Sequence, residues 1–327
     1  MNHRVIYAIP DITVPTGGVR VLYRHIEILS NAGYRAYAWY RKRILNHDWF
    51  SSAVRTISST TLELGDDDLL VVPEPWVVSG IDPAPGCRKV IYNQNHFYTF
   101  FSAPPVEYPV WRPRPAVWVS SLANRDAQLR LKDLLHVSGV EYIPLSIDTS
   151  LFRPTRKERK VSWMPRKRPN EGSLLHALLD ADERMAGVTL MPIEGLTERQ
   201  TAAELGTTSV FVALGRDEGF GLPVAEALAA GCAVVGYPAG GGAELFECPG
   251  AHPVAESDIL AIVEKVAELL CNEPSERERA SYAEWVAARY ADQDQRKALL
   301  EAVSTAFDGP GGAGEAVHPF ETRPVIP

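Results

Sequence analysis

Short β-branched runs alternate with helical stretches along this chain, and that alternation narrows the available folds more than any other feature. RVIYAIP at residues 4–10 reads as a strand. Val19, Leu22, Ile26 and Leu29 follow at spacings of three and four, the spacing of one helix face, and Gly33 is placed to end that helix. RAYAWY, DLLVVPE, KVIYNQN, AVWVSS and EYIPLS read as further strands. Such a series predicts an α/β fold in which helices wrap a parallel sheet. RPTRKERK at 153–160 breaks the rhythm, and a second series then begins with KVSWMPR and continues through LLHALLDA, VTLMPIEG, SVFVALG and CAVVGYP. The stretch from Glu256 to Phe307 is almost entirely helical in pattern, and the Gly/Pro-rich end is expected to be extended or disordered. The predicted division is residues 1–152, residues 153–307 and a tail at 308–327.

A length of 327 residues suits two domains. With 46% apolar and 23% charged residues, the chain is too apolar to be largely disordered. No apolar run approaches the roughly 20 residues needed to cross a bilayer, and the N-terminus lacks the zones of a signal peptide. Cys87, Cys232, Cys248 and Cys271 stand far apart without CxxC spacing, which points to reduced thiols in a cytoplasm. A net charge of -8 argues against a general nucleic-acid binder. The basic run at 41–43, with Trp49 and Phe50 close behind, has two readings: a solvated loop, or a peripheral contact with anionic lipid at the inner face of a membrane.

Doubly wound domains bind ligands beyond the C-terminal ends of their strands, so the loops after strands are where chemistry is expected. PTGG at 15–18 puts Gly17 and Gly18 at a helix start, where backbone approaches a ligand closely and anionic groups are favoured. MPRKRPNEG at 164–172 delivers Arg166, Lys167 and Arg168 to a strand end, a combination suited to a diphosphate. DEGFGLPVAEALAAG at 217–231 places Glu218 in a glycine-laced turn and Glu226 about one turn into the next helix. A carboxylate accepts two hydroxyl hydrogen bonds at once, which suits a vicinal diol. Read singly, either acid could serve the helix dipole or the solvent instead.

The pair Glu218 and Glu226, with GFGLP after the first, a small-residue helix, Gly231 and an apolar strand, resembles the retaining GT-B glycosyltransferases of the family-4, or group 1, type. AGGGAELF with Glu244, TGGVRVLYRHIEILSNAGY and VEYIPLSIDTSLFRP are similar to other elements of that family. The resemblance implies two Rossmann-like domains facing each other across a cleft, the first for the acceptor and the second for a nucleotide-diphosphate sugar, with a UDP-sugar favoured. It implies that Glu226 binds ribose and that Glu218 and the amides of Phe220, Gly221 and Leu222 hold the donor sugar. Arg166 and Lys167 would stabilise the leaving diphosphate, and His96 in NQNHFYTFF would stand near the reacting sugar. The family spaces its arginine and lysine several residues apart, so which of Arg166, Lys167 and Arg168 meets the phosphates stays open.

No metal ligands are expected: in GDDDLLVV the aspartates run straight into a strand with no loop to present them. No cofactor is expected beyond the donor itself. Phe97, Tyr98, Phe100 and Phe101 either line an acceptor groove or belong to the core. Other readings of the same residues are a nucleotide-sugar 2-epimerase, a non-catalytic scaffold, or transfer to a nucleic-acid base. The sequence leaves the acceptor and the oligomeric state unidentified.

Overall fold

In the first series the strands are β1 (Arg4–Ala8), β2 (Arg35–Tyr40), β3 (Arg55–Ser58), β4 (Thr61–Leu64), β5 (Asp68–Pro73), β6 (Lys89–Asn93), β7 (Ala116–Val119) and β8 (Val140–Tyr142). Its helices are α1 (Gly17–Asn31) and α2 (Leu122–Leu131). The computed structural model describes residues 3–11, 16–42, 48–79, 81–100 and 111–319. Pro15, Arg43, Phe101 and the tail from residue 320, all part of the sequence reading, lie outside that set.

The second series holds β9 (Glu158–Trp163), α3 (Pro169–Asp180), β10 (Thr189–Pro192), α4 (Glu198–Thr207), β11 (Thr208–Ala213), α5 (Leu222–Ala229), β12 (Ala233–Gly236) and β13 (Ala251–Pro253). Helices α6 (Ile259–Cys271), α7 (Glu276–Arg289) and α8 (Asp292–Asp308) follow, and then β14 (Gly314–Val317).

Two sheets carry the fold. The first runs β3-β2-β1-β5-β6-β7-β8 and the second β10-β9-β11-β12-β13, and every pairing within them is parallel. Strands β5, β6 and β11 are buried along their whole length, as expected where helices cover both faces of a parallel sheet. In the first unit Ile6, Leu70, Val72, Ile91, Val117 and Val119 form one core face, closed by Trp39, Trp76 and Trp111. The second core sets Val161, Trp163, Val210, Val212 and Val235 against leucines of α3 and apolar residues of α6.

The chain divides elsewhere than the composition suggests. One unit takes residues 1–145 together with 293 onward, and the other takes Ser146–Asp292. The linker segment belongs with the second unit: Ile147 N–H donates to Tyr290 O at 3.0 Å, and Phe152 is buried. After Asp292 the chain returns to the first unit. Phe307 stacks on His3 at 4.1 Å and lies under the Arg88 guanidinium. β14 pairs antiparallel with β4, and the buried His318 ring bonds Trp39 O at 2.9 Å. The expected loose tail is therefore, through residue 319, a strap on the first unit. Its GEAVH stretch supplies an alternating strand that the surrounding glycines and prolines obscure in the sequence.

Candidate active site

In the second unit three strand ends meet. β9 and β11 are neighbours, with Val212 opposite Trp163, and β12 lies on the far side of β11. Beyond β9, Pro165–Lys167 form a 3-10 turn that leads into α3. Lys167 closes that turn and Arg168, at φ -141° and ψ 64°, stands between it and α3, so the two basic side chains diverge. Lys167 Nζ meets Glu218 Oε2 at 2.9 Å and Arg216 O at 3.0 Å. Arg168 instead donates to Gly215 O at 3.0 Å and to Glu171 at 2.5 Å, pairs with Glu256, and lies over the Tyr237 ring.

Glu218 is held by backbone on both sides. Its N–H donates to Ala239 O at 2.9 Å, and its carbonyl accepts from Gly241 N–H at 2.8 Å. The turn after β11 is thereby stitched to the loop after β12. Gly221, at φ 94° and ψ 51°, then starts α5 from a left-handed conformation that glycine adopts without strain, and Pro223 occupies its first turn. A pocket of about 70 Å³ opens here, lined among others by Arg166, Lys167, Glu218, Gly221 and Tyr237.

Of the residues singled out from sequence, Glu218, Arg166, Lys167 and Gly221 come together around this pocket. Arg168 does not line it. Phe220 turns its ring into the protein, edge-on to Tyr290 at 5.1 Å, so only its backbone is available to a ligand. Leu222 is the first residue of α5. Glu226 lies in α5, 4% exposed, and does not line the pocket. Glu244 accepts from the Tyr290 hydroxyl at 3.3 Å.

The first unit brings another set of loops together. Gly17 and Gly18 are the first residues of α1, and Gln94, just past β6, donates from Nε2 to Gly18 O at 3.3 Å. Ser120, just past β7, donates to Gln94 O at 3.3 Å. His96 opens a 3-10 turn, His96–Tyr98, whose amide at Phe97 is capped by the Asn95 side chain. Its ring lies against Phe97 at 4.3 Å, its Nδ1 has no partner, and burial lowers its pKa from the usual value, which favours neutral imidazole. Phe97 is exposed, whereas Phe100 packs on the core. A buried amide network, Asn93, Thr99, Asn124 and Gln128, supports the segment from below.

Several other features bear on the sequence reading. Asp68 is taken up by Arg4 and by the Gly65 amide, as a strand-edge acid should be. Among the described residues no group of three or more His, Cys, Asp or Glu is arranged to hold a metal. All four cysteines are free, with Cys271 exposed and the others buried. No helix of the described residues is long and apolar enough to cross a membrane. Trp49 and Phe50 are half-buried, with Phe50 edge-on to Tyr23 at 5.1 Å. Sequence reasoning missed Gln94, Tyr237 and Glu74. The last is a buried acid after β5, and only the strand-end position of VVPE hints at it.

Residues 181–285 match the family model described as glycosyl transferases group 1. An alpha-1,6-glucosyltransferase of Actinobacillus pleuropneumoniae is 28% identical over 240 residues, covering 68% of this chain and 69% of that protein. Among solved structures, sucrose-phosphate synthase of Thermosynechococcus elongatus superposes with a TM-score of 0.70 at 15% identity, over 94% of this chain and 100% of its own. HepE of Anabaena, solved with UDP and glucose, gives 0.61 at 12% identity over 93% and 100%. At such identities these structures speak for the fold, which is the GT-B type of two Rossmann-like units.

Proposed function

From a chain whose residues 181–285 match the family model of glycosyl transferases group 1, we propose a retaining transferase that moves a hexosyl group from a nucleotide-diphosphate sugar to a hydroxyl acceptor. The observation that carries the reading is the Lys167–Glu218 pair at 2.9 Å in the strand-end pocket. A lysine ammonium has three N–H donors. Glu218 and Arg216 O take two, which leaves one for a phosphate oxygen while the carboxylate keeps capacity for sugar hydroxyls. One cation thus ties the sugar-binding acid to the leaving group.

In this scheme the bond from the anomeric carbon to the diphosphate oxygen breaks, and the acceptor oxygen bonds to that carbon on the same face. The acceptor proton passes to the departing phosphate oxygen. Arg166 and Lys167 stabilise the negative charge that grows there, a role in which a single donor is worth about 2.7–4 kcal/mol. The amides from Phe220 to Leu222, at the start of α5, face the donor. His96, neutral under its burial, stands on the acceptor side. The reaction as written uses no metal.

UDP-glucose is the first donor to test, because HepE was solved with UDP and glucose and the curated relative is named an alpha-1,6-glucosyltransferase. An α-glucoside formed from an α-linked donor is retention. The decisive experiment offers UDP-glucose with a panel of glycan and lipid hydroxyl acceptors, with and without EDTA, and reads the new linkage by NMR. An α-linked product formed in EDTA supports the proposal. A β-linked product refutes retention, activity that returns only with added metal refutes the metal-free scheme, and UDP release with a sugar inverted at C2 and no glycoside favours an epimerase.

A further inference from the structure

Outside the second unit's pocket lies a buried carboxyl, Glu74, which follows β5 and begins the 3-10 segment Glu74–Ser79. It is 4% exposed, and no ion pair to it is present among the described residues. Burying a carboxyl group without a counter-charge is unfavourable unless hydrogen bonds compensate. Here the compensating donors are the backbone amides of Gln94 and Asn95, together with its own, while Oε2 has no partner. The desolvation outweighs these bonds and pushes the carboxyl up to about 8.

Those two amides belong to the turn that delivers His96. β5 and β6 are adjacent, with Pro73 opposite Tyr92, so Glu74 and Gln94 leave the sheet side by side. Gln94 also ties the turn to Gly18 through its side chain and to Ser120 through its carbonyl. The start of α1 and the exits of β5 and β7 therefore meet the turn after β6, and Glu74 brings a titratable group to it. A neutral residue would cap an ordinary turn at lower cost.

We propose that Glu74 is a positioning residue for the acceptor side of the reaction: its carboxyl grips the amides of Gln94 and Asn95 and so fixes the turn that presents His96. The role of His96 in transfer rests on the glycosyltransferase reading, whereas the grip on the turn does not. Both are measurable separately. Glu74→Gln keeps the shape and one acceptor oxygen but sets an NH2 group among N–H donors, and Glu74→Ala removes the grip altogether.

Three readouts decide the matter: amide hydrogen exchange at residues 94–97, UDP binding by calorimetry, and steady-state kinetics of transfer. The expected result is at least tenfold faster exchange at residues 94–97 in Glu74→Ala with exchange in β1 and β6 unchanged. UDP affinity should stay within twofold in both variants. Turnover should fall at least tenfold in Glu74→Ala and by less in Glu74→Gln, while the donor KM holds. Unchanged exchange at 94–97 overturns the proposal whether or not the wild type transfers sugar. Faster exchange spread over the whole first unit also overturns it, because Glu74 would then be a stability residue. Local exchange with undiminished turnover leaves the grip in place and removes His96 from the reaction.

Discussion

Replacing Gly241 by alanine tests whether the glycine run after β12 exists to seat Glu218. A Cβ built on Gly241 falls 2.2 Å from Gly219 O and 2.4 Å from Glu218 O. Both are backbone atoms, so no side-chain rotation relieves the overlap. Restoring ordinary contact requires the two loops to part by about 1 Å, against the hydrogen bonds that Glu218 makes to Ala239 O and from Gly241 N–H. Losing two such bonds costs about 1 kcal/mol each. Overpacking adds about 1–3 kcal/mol. A total of about 3–5 kcal/mol corresponds to a fall in Tm of roughly 10 °C for a unit of this size. Turnover should suffer more than stability, since a displacement of about 1 Å in a catalytic group can cost on the order of 100-fold. Thermal unfolding followed by circular dichroism, together with UDP-glucose turnover below the transition, measures both. Gly139→Ala is the control, because a Cβ there meets nothing within 4 Å. If Gly241→Ala melts within 2 °C of wild type, about the effect of 1 kcal/mol or less, the close approach does not constrain the loop and the reasoning fails.

Three further outcomes are expected. Glu218→Gln should lower turnover more than tenfold, about 1.4 kcal/mol, with Tm nearly unchanged because the carboxylate lies in a surface turn; full turnover would remove Glu218 from the chemistry. Lys167→Ala should weaken UDP binding and turnover while the protein melts normally, whereas Arg168→Ala should lower Tm first, since that guanidinium is packed against Glu171, Glu256 and Tyr237; the reverse pattern would exchange their roles. For Glu74 the pH dependence has a definite sign. Below about 4.5 both folded and unfolded chains keep the proton, and between there and about 8 only the folded chain does, so stability drains away as pH rises through that window, by about 5 kcal/mol at most. Glu74→Gln should therefore gain in Tm relative to wild type from pH 5 to 8.5, and parallel melting curves would show that Glu74 is not held protonated.

The parts of the fold that were legible in sequence are those with a local cause. Val19, Leu22, Ile26 and Leu29 are all buried on α1, as their spacing requires. The β-branched runs became strands of the two parallel sheets. Strands β3 and β4 escaped notice because RTIS and TLEL are short and half-exposed, with little apolar signal. β14 was hidden for a different reason: its pairing partner β4 lies some 250 residues earlier, and glycine-rich flanks outweighed four residues of alternation. The division into units failed in the same way. A basic stretch marks a change in composition, but membership is settled by contacts such as His318 on Trp39, and no local pattern announces those.

Glu74 and Glu218 show where local reading stops. Each follows a strand of a doubly wound sheet, and each reads in sequence as an acid at a loop mouth. Glu218 is partly exposed and meets an ammonium supplied 51 positions earlier in the chain, so its charge is compensated in a place a ligand can reach. Glu74 meets backbone amides, its own and those supplied by Gln94 and Asn95, and burial pushes its carboxyl up to about 8. Their difference is made by the partners that sheet order brings alongside: β9 beside β11 in one unit, β6 beside β5 in the other. Once strand order is known, the pairing of Lys167 with Glu218 follows from adjacent strand ends, and so does the grip of Glu74 on the His96 turn. What each acid can do is therefore set by the partners that sheet topology brings beside it, an ammonium for Glu218 and backbone amides for Glu74.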